Sequence, residues 1–269
     1  MFVRDQDKAM VAAAHGRIRQ IIAKARQLGE PTRDAKTPFD ANGRSIVIMM
    51  TPRSGSTLLS SLISLTGKLG RCAEHFNNRP GGALEQTASR HRVHSVDQLL
   101  NAVMNTTANN SGVFSIKGDF RQFAPFLGMR NFWEKLRNPA FFYLTREDLL
   151  AQAISYEKAL QTRQTTSTVA AVGEAVYDEA KLLQDVEYLT QMMASFEFLF
   201  ATNGIQPTRL TYEALSEDPV AVVRTIGKAI GIDDLPPMSR DDSPLRKQAD
   251  ALTEEWRRRF AEQSVGQRI

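Results

Sequence analysis

Four short runs rich in branched and aromatic residues punctuate this chain: SIVIMM at 45–50, GVFSIKG at 112–118, PAFFYLTR at 139–146 and PTRLTY at 207–212. Each leads into a stretch with helical spacing, namely SGSTLLSSLISLTG, DFRQFAPFL, EDLLAQAISYEKALQ and DPVAVVRTIGKAIG. Apolar runs of this length between polar turns suit strands buried on both faces. Strand and helix in alternation imply a parallel sheet covered on both sides, an α/β chain of three layers, α/β/α. Ligands of such a sheet sit beyond the carboxyl ends of its strands.

The remaining elements fit around that frame. Residues 4–28 read as an amphipathic helix carrying Met10, Val11, Ile18, Ile21 and Ile22 and ended by Gly29 and Pro31. Residues 175–204 read as one long helix ending at Gly204, and SVDQLLNAVM opens with the capping-box pair Ser95 and Gln98. Residues 77–94 show no clear period and are expected to be a loop. With 269 residues and 42% apolar content, one domain is the simpler division. The expected organisation is an N-terminal helix in residues 1–30 ahead of a single domain, 45–269.

Composition narrows the function. The 34 basic and 30 acidic residues leave a net charge of +4, spread along the chain. That balance suits an anionic ligand but lacks the concentrated basic stripe of a nucleic-acid binder. Arg257, Arg258 and Arg259 read as the solvated face of a helix. Cys72 is the only cysteine, which excludes an internal disulfide and a multi-cysteine zinc site. With Arg4, Asp5, Asp7 and Lys8 near the start, no export signal is visible, and Ser54–Gly67 is too short and polar to span a bilayer. The expectation is a reducing, cytoplasmic setting with no transmembrane segment.

The sharpest local signal is TPRSGSTLL at 51–59. It joins the first strand to its helix, where backbone N–H groups lie unpaired and face a bound anion. Gly55 permits close backbone approach, Ser54, Ser56 and Thr57 supply hydroxyls, and Arg53 supplies a delocalised charge. The Gly-Lys-Ser/Thr ending that handles β- and γ-phosphates is missing. A single phosphate carrying another anionic group suits the loop better. The bland alternative is a plain strand–helix turn.

TPRSGSTLL resembles the 5'-phosphosulfate loop of sulfotransferases that use 3'-phosphoadenosine 5'-phosphosulfate (PAPS). TGKLGRCAEHF, FSIKGDF, LTREDLLAQAISYEKALQT, TYEAL and LRKQADALTEEW continue the pattern of bacterial carbohydrate sulfotransferases of the trehalose 2-sulfotransferase type. The resemblance covers residues 45 to about 260 and implies a P-loop NTPase-like sulfotransferase fold. It also implies that Arg146 and Ser155 clamp the 3'-phosphate, that Arg246 and Lys247 close over it, and that Tyr212 touches adenine. Arg53 would stabilise the departing phosphate oxygen with Lys117 as second donor, and Glu74 would be the general base. His75 and Asp119 stand as rivals: a histidine titrates near neutrality, and Asp119 follows Lys117 at the spacing of the histidine base in cytosolic-type relatives.

The implied reaction is in-line sulfuryl transfer to a carbohydrate or glycolipid hydroxyl, and a homodimer is the implied assembly. Two readings stay open beside it. A small-molecule kinase would share the strand–turn–helix and prefer ATP, and an inactive homologue would bind without turnover. Arg79, His91, Arg92 and His94 in 77–94 are candidates for lining the acceptor site.

Overall fold

A computed structural model describes residues 4–32, 39, 42–245 and 251–265. Four strands, β1 (Arg44–Met50), β2 (Val113–Gly118), β3 (Pro139–Thr145) and β4 (Thr208–Thr211), form one sheet in the order β2-β1-β3-β4. Every pairing is parallel.

Side chains of β1 alternate between two cores, as the period of two in a strand demands. Val47 and Met49 join Phe114, Ile116 and Tyr143 on one face. Ile46, Ile48 and Met50 join Val113, Phe142, Leu144 and Leu210 on the other. The second face is covered by α2 (Ser56–Leu65), α9 (Tyr212–Glu217) and α10 (Pro219–Ala229), through Leu59, Leu62, Leu215 and Val223. The first face receives α1 (Lys8–Arg26), α3 (Ala83–His91), α4 (Val96–Thr107), α5 (Phe120–Phe123), α6 (Arg130–Lys135) and α8 (Glu179–Asn203). The three-layer α/β/α class read from the alternation is therefore observed.

Helix α1 packs on the body. Ile18, Ile21 and Ile22 are buried in the same core as the sheet, each worth about 1.5–3 kcal/mol of transfer free energy. Residues 77–94 differ from the loop expected of them, because Leu84 and Ala88, one turn apart on α3, are both fully buried. Two buried apolar positions in nine residues are too few to register as a period, yet they suffice to anchor a short helix to a core. The capping box at Ser95 is half formed. Ser95 accepts from the Gln98 N–H, while Gln98 Oε1 accepts from the His94 N–H rather than from Ser95.

Helix α7 (Leu149–Thr162) follows β3, and α11 (Ala251–Val265) lies against it, Trp256 clustering with Ile154 of α7 and Leu182 of α8. Asp148 caps α7 by accepting from the Ala151 N–H and pairs with Arg257 at 2.6 Å. Arg258 and Arg259 pair with Glu262 and Glu255, as a solvated helix face does. Among the described residues no helix is long and apolar enough to cross a membrane.

Candidate functional site

All four strands point their carboxyl ends at one edge, and Arg53, Gly55, Ser56, Thr57, Arg146, Ser155 and Tyr212 gather there. After β1 the chain turns through Thr51–Gly55 into α2. Two residues of this turn adopt left-handed backbone, Gly55 at φ 83° and Arg53 at φ 64°. For Gly55 that conformation carries no steric penalty. A β-carbon there would stand 2.7 Å from Cδ2 of Tyr212, so the tyrosine ring also requires the glycine. Left-handed residues on either side of Ser54 curl the backbone into the concave form that receives anions. Ser54 closes the turn from inside, donating its buried hydroxyl to the Thr51 carbonyl at 2.8 Å. Its hydroxyl is thus committed to the turn, whereas Ser56 and Thr57 line the cavity beside it.

The turn forms one wall of a cavity of about 670 Å³. Arg53, Gly55, Ser56 and Thr57 line it together with Arg146, Ser155, Lys158 and Tyr212. The strap that follows α7 contributes Gln164, Thr165, Thr166, Ser167 and Glu174. Arg53 donates from Nε to Ser155 Oγ at 2.9 Å and from Nη1 to the Thr165 carbonyl. Burial, reinforced by the neighbouring charge of Arg146, lowers the pKa of the Arg53 guanidinium below its ordinary value. Arg146 lies over the Tyr212 ring, 4.5 Å from its centroid, and its Nε is buried with no hydrogen-bond partner among the described residues. Arg146 forms no ion pair with Asp148, two residues on, because Asp148 is taken by Arg257. Three guanidinium groups, those of Arg53, Arg146 and Arg240, line one cavity, and Arg146 and Arg240 each bring to it an N–H orphaned among the described residues. Such a constellation fits an anion with more than one charged group.

Lys117, at the end of β2, reaches the same turn from below. Its Nζ lies 3.2 Å from Thr57 Oγ1, 3.5 Å from Ser56 Oγ and 3.8 Å from Glu74 Oε1. Burial lowers the Lys117 pKa, and the Glu74 carboxylate opposes that shift. Glu74 accepts from Gln122 Nε2 at 2.8 Å and from Asn77 Nδ2 at 3.3 Å. Its side chain keeps 35% of its surface exposed.

The rival carboxylate and imidazole are engaged elsewhere. Asp119 is buried, caps α5 through the Gln122 N–H and pairs with Arg121 at 2.6 Å. His75 is buried against Phe114 and donates from Nε2 to the Arg71 carbonyl at 2.8 Å. Burial lowers its pKa, with that hydrogen bond pulling the other way. Cys72, also buried, has its thiol pushed up to about 12 by desolvation.

Arg79, His91, Arg92 and His94 are not among the residues that line this cavity. His91 and His94 meet the chain just beyond α1, His91 at Thr32 and His94 at the Gly29 carbonyl. These contacts direct both imidazoles to the α1 side of the molecule. Arg246 and Lys247 lie outside the described residues. The sequence reading did not single out Gln152, whose buried amide grips the turn, or the strap residues 164–167. No local motif marks either, because each acts through residues distant in the chain.

Comparison with known proteins follows the same segment. The sequence pattern of the Stf0 sulphotransferase family matches residues 45–263. A trehalose 2-sulfotransferase of Mycobacterium tuberculosis is 27% identical over 124 residues, 45% of this chain and 45% of the relative. A trehalose 2-sulfotransferase of Mycolicibacterium smegmatis is 26% identical over 125 residues, 46% of each chain. The matched stretch thus spans just under half the length of either relative.

Proposed function

Because the chain belongs to the Stf0 sulphotransferase family, we propose that it transfers a sulfuryl group from PAPS to a hydroxyl of a trehalose-like sugar or a glycolipid built on one. The observation that carries the reading is the convergence of Arg53, Arg146 and the start of α2 on one cavity. The names of the relatives support a carbohydrate acceptor.

The donor supplies an activated sulfate on the 5'-phosphate. The Thr51–Gly55 turn, with Ser56, Thr57 and the Arg53 guanidinium, suits that phosphate. The buried Nε of Arg146, the Ser155 hydroxyl and the Tyr212 face suit the remainder of the nucleotide, a role the resemblance also gives to Arg246 and Lys247. Charge spread over peripheral oxygens is best stabilised by fixed cations, which is the role of Arg53 and Lys117. Glu74 is the group to take the proton of the acceptor hydroxyl. Its half-exposed carboxylate, held by Gln122 beside Lys117, supports that role, and the capping of α5 by Asp119 and the inward bond of His75 argue against the rivals. Carboxylate and nucleotide turn are thus separated by one ammonium group.

The test is a pair of measurements on purified protein. Calorimetry should give a saturating heat with 3',5'-adenosine bisphosphate and little with ATP. Labelled PAPS should then pass its sulfate to one member of a panel of trehalose, related disaccharides and glycolipid extracts. Preference for magnesium-ATP, or absence of binding by either nucleotide, would refute the reading.

A further inference from the structure

Gln152 has no accessible surface and does not line the cavity, yet it is attached to the cavity's most specialised turn. Its Nε2 donates to Thr51 Oγ1 at 2.7 Å and to the Pro52 carbonyl at 2.6 Å. Those two residues immediately precede Arg53, whose φ of 64° is unusual for a residue with a side chain. Left-handed backbone at a non-glycine residue persists only where its surroundings over-determine it. Thr51 is held twice. Its hydroxyl accepts from Gln152 and its carbonyl accepts from Ser54.

Gln152 also stands three residues before Ser155 on α7, on the same helix face. Ser155 accepts from the Nε of Arg53. Helix α7 therefore grips the turn at two places, the backbone before Arg53 and the side chain of Arg53 itself. The carbonyl of Gln152, Oε1, is buried with no partner among the described residues. A buried acceptor without a donor is unfavourable, and an apolar side chain of the same length would fill the space without it. What the glutamine contributes is the pair of donated hydrogen bonds.

We infer that Gln152 is a positioning residue: by clamping Thr51 and Pro52 to α7 it holds the Arg53 turn in its anion-receiving shape and in register with Ser155. The functional half of this inference rests on the proposed nucleotide site. Its structural half does not.

Gln152→Met removes both donors at nearly constant volume, and Thr51→Val removes one acceptor. Hydrogen exchange of the apo protein gives a readout free of any ligand. The amides of Thr51 and of residues 53–57 should exchange faster in Q152M, with the β2 and β3 amides unchanged. Equal exchange across 51–57 in parent and variant would overturn the inference. Calorimetry with adenosine 3'-monophosphate and 3',5'-adenosine bisphosphate gives the second readout. The bisphosphate should bind about 10- to 100-fold more weakly to Q152M while the monophosphate is unaffected. Equal weakening of both ligands would make Gln152 merely structural and overturn the inference. A parent protein that binds neither nucleotide refutes the proposed function, and hydrogen exchange then decides the inference alone. Should Q152M fail to fold, T51V carries both measurements, with a smaller loss expected in the same direction.

Discussion

Two carboxyl groups meet in the seam between α7 and α8, and their encounter makes stability depend on pH. Asp185 is 8% exposed and Glu157 4%. They are near enough to share a hydrogen bond, which a proton must supply, and Asp185 Oδ2 has no other donor among the described residues. Burial, together with the Glu157 charge, pushes the Asp185 pKa up to about 7, and Lys181 pulls against it. Lys181 Nζ stands 3.9 Å from Glu157 Oε1, which also accepts from Gln161 Nε2 at 2.7 Å. Between pH 3.8 and about 7 the folded chain keeps a proton that the unfolded chain has released. Stability therefore falls as pH rises through that window and levels off above it. At about 1.4 kcal/mol per pKa unit the full displacement corresponds to a ceiling of about 4 kcal/mol. Relaxation and water entry in a seam near the surface should leave about 2 kcal/mol. Asp185→Asn never ionises and can donate to Glu157. It should therefore match the parent near pH 4 and exceed it by about 2 kcal/mol at pH 8, or roughly 4–8 °C in Tm. Urea titrations at several pH values measure the difference directly. A stability difference that is the same at pH 5 and pH 8 would refute the shared-proton account.

The remaining expectations concern the site and its frame. Glu74→Gln should lower kcat by about 10² to 10⁴ while leaving the bisphosphate Kd unchanged, and a variant turning over like the parent would remove Glu74 from the chemistry. Gly55→Ala must fit a methyl 2.7 Å from Tyr212 Cδ2 at a φ of 83°, so stability should fall by about 1–3 kcal/mol and nucleotide heat should vanish. Both effects are read by thermal melts with and without ligand. Ile21→Ala should cost about 2–5 kcal/mol by denaturant titration, since Ile21 is 1% exposed in the main core. A loss near zero would mean that α1 is an appendage.

Legibility in the sequence followed the range of the interactions. The strands were readable because a parallel strand buried on both faces must be continuously apolar, as SIVIMM is. The turn at Arg53 was readable because its chemistry is contiguous: apolar run, glycine, hydroxyls and a cation within nine residues. Helix α3 escaped because Leu84 and Ala88 are its only buried residues, and the ion pairs of Glu85 with Arg17 and Lys24 that also tie it down are distant in the chain. Ser54 was grouped with the outward hydroxyls because a sequence does not say which way a serine in a tight turn points. Gln152 escaped for the opposite reason to the turn it supports. Its partners lie 100 and 101 residues away, and a glutamine inside a helical pattern is ordinarily a surface residue. The ring of Tyr212 over Gly55 likewise joins β4 to β1 across the sheet, a relation that only the strand order supplies.

That strand order also governs how the protein comes into being on the ribosome. β1 sits between β2 and β3, so the first of these four strands to be synthesised acquires its neighbours only after Val113–Gly118 and then Pro139–Thr145 have emerged. No hairpin can shelter it in the interval, because every pairing is parallel and long-range. A nascent chain paused before Thr145 exposes a sticky apolar ribbon with the β3-facing edge of β1 open, a surface that a chaperone can shield.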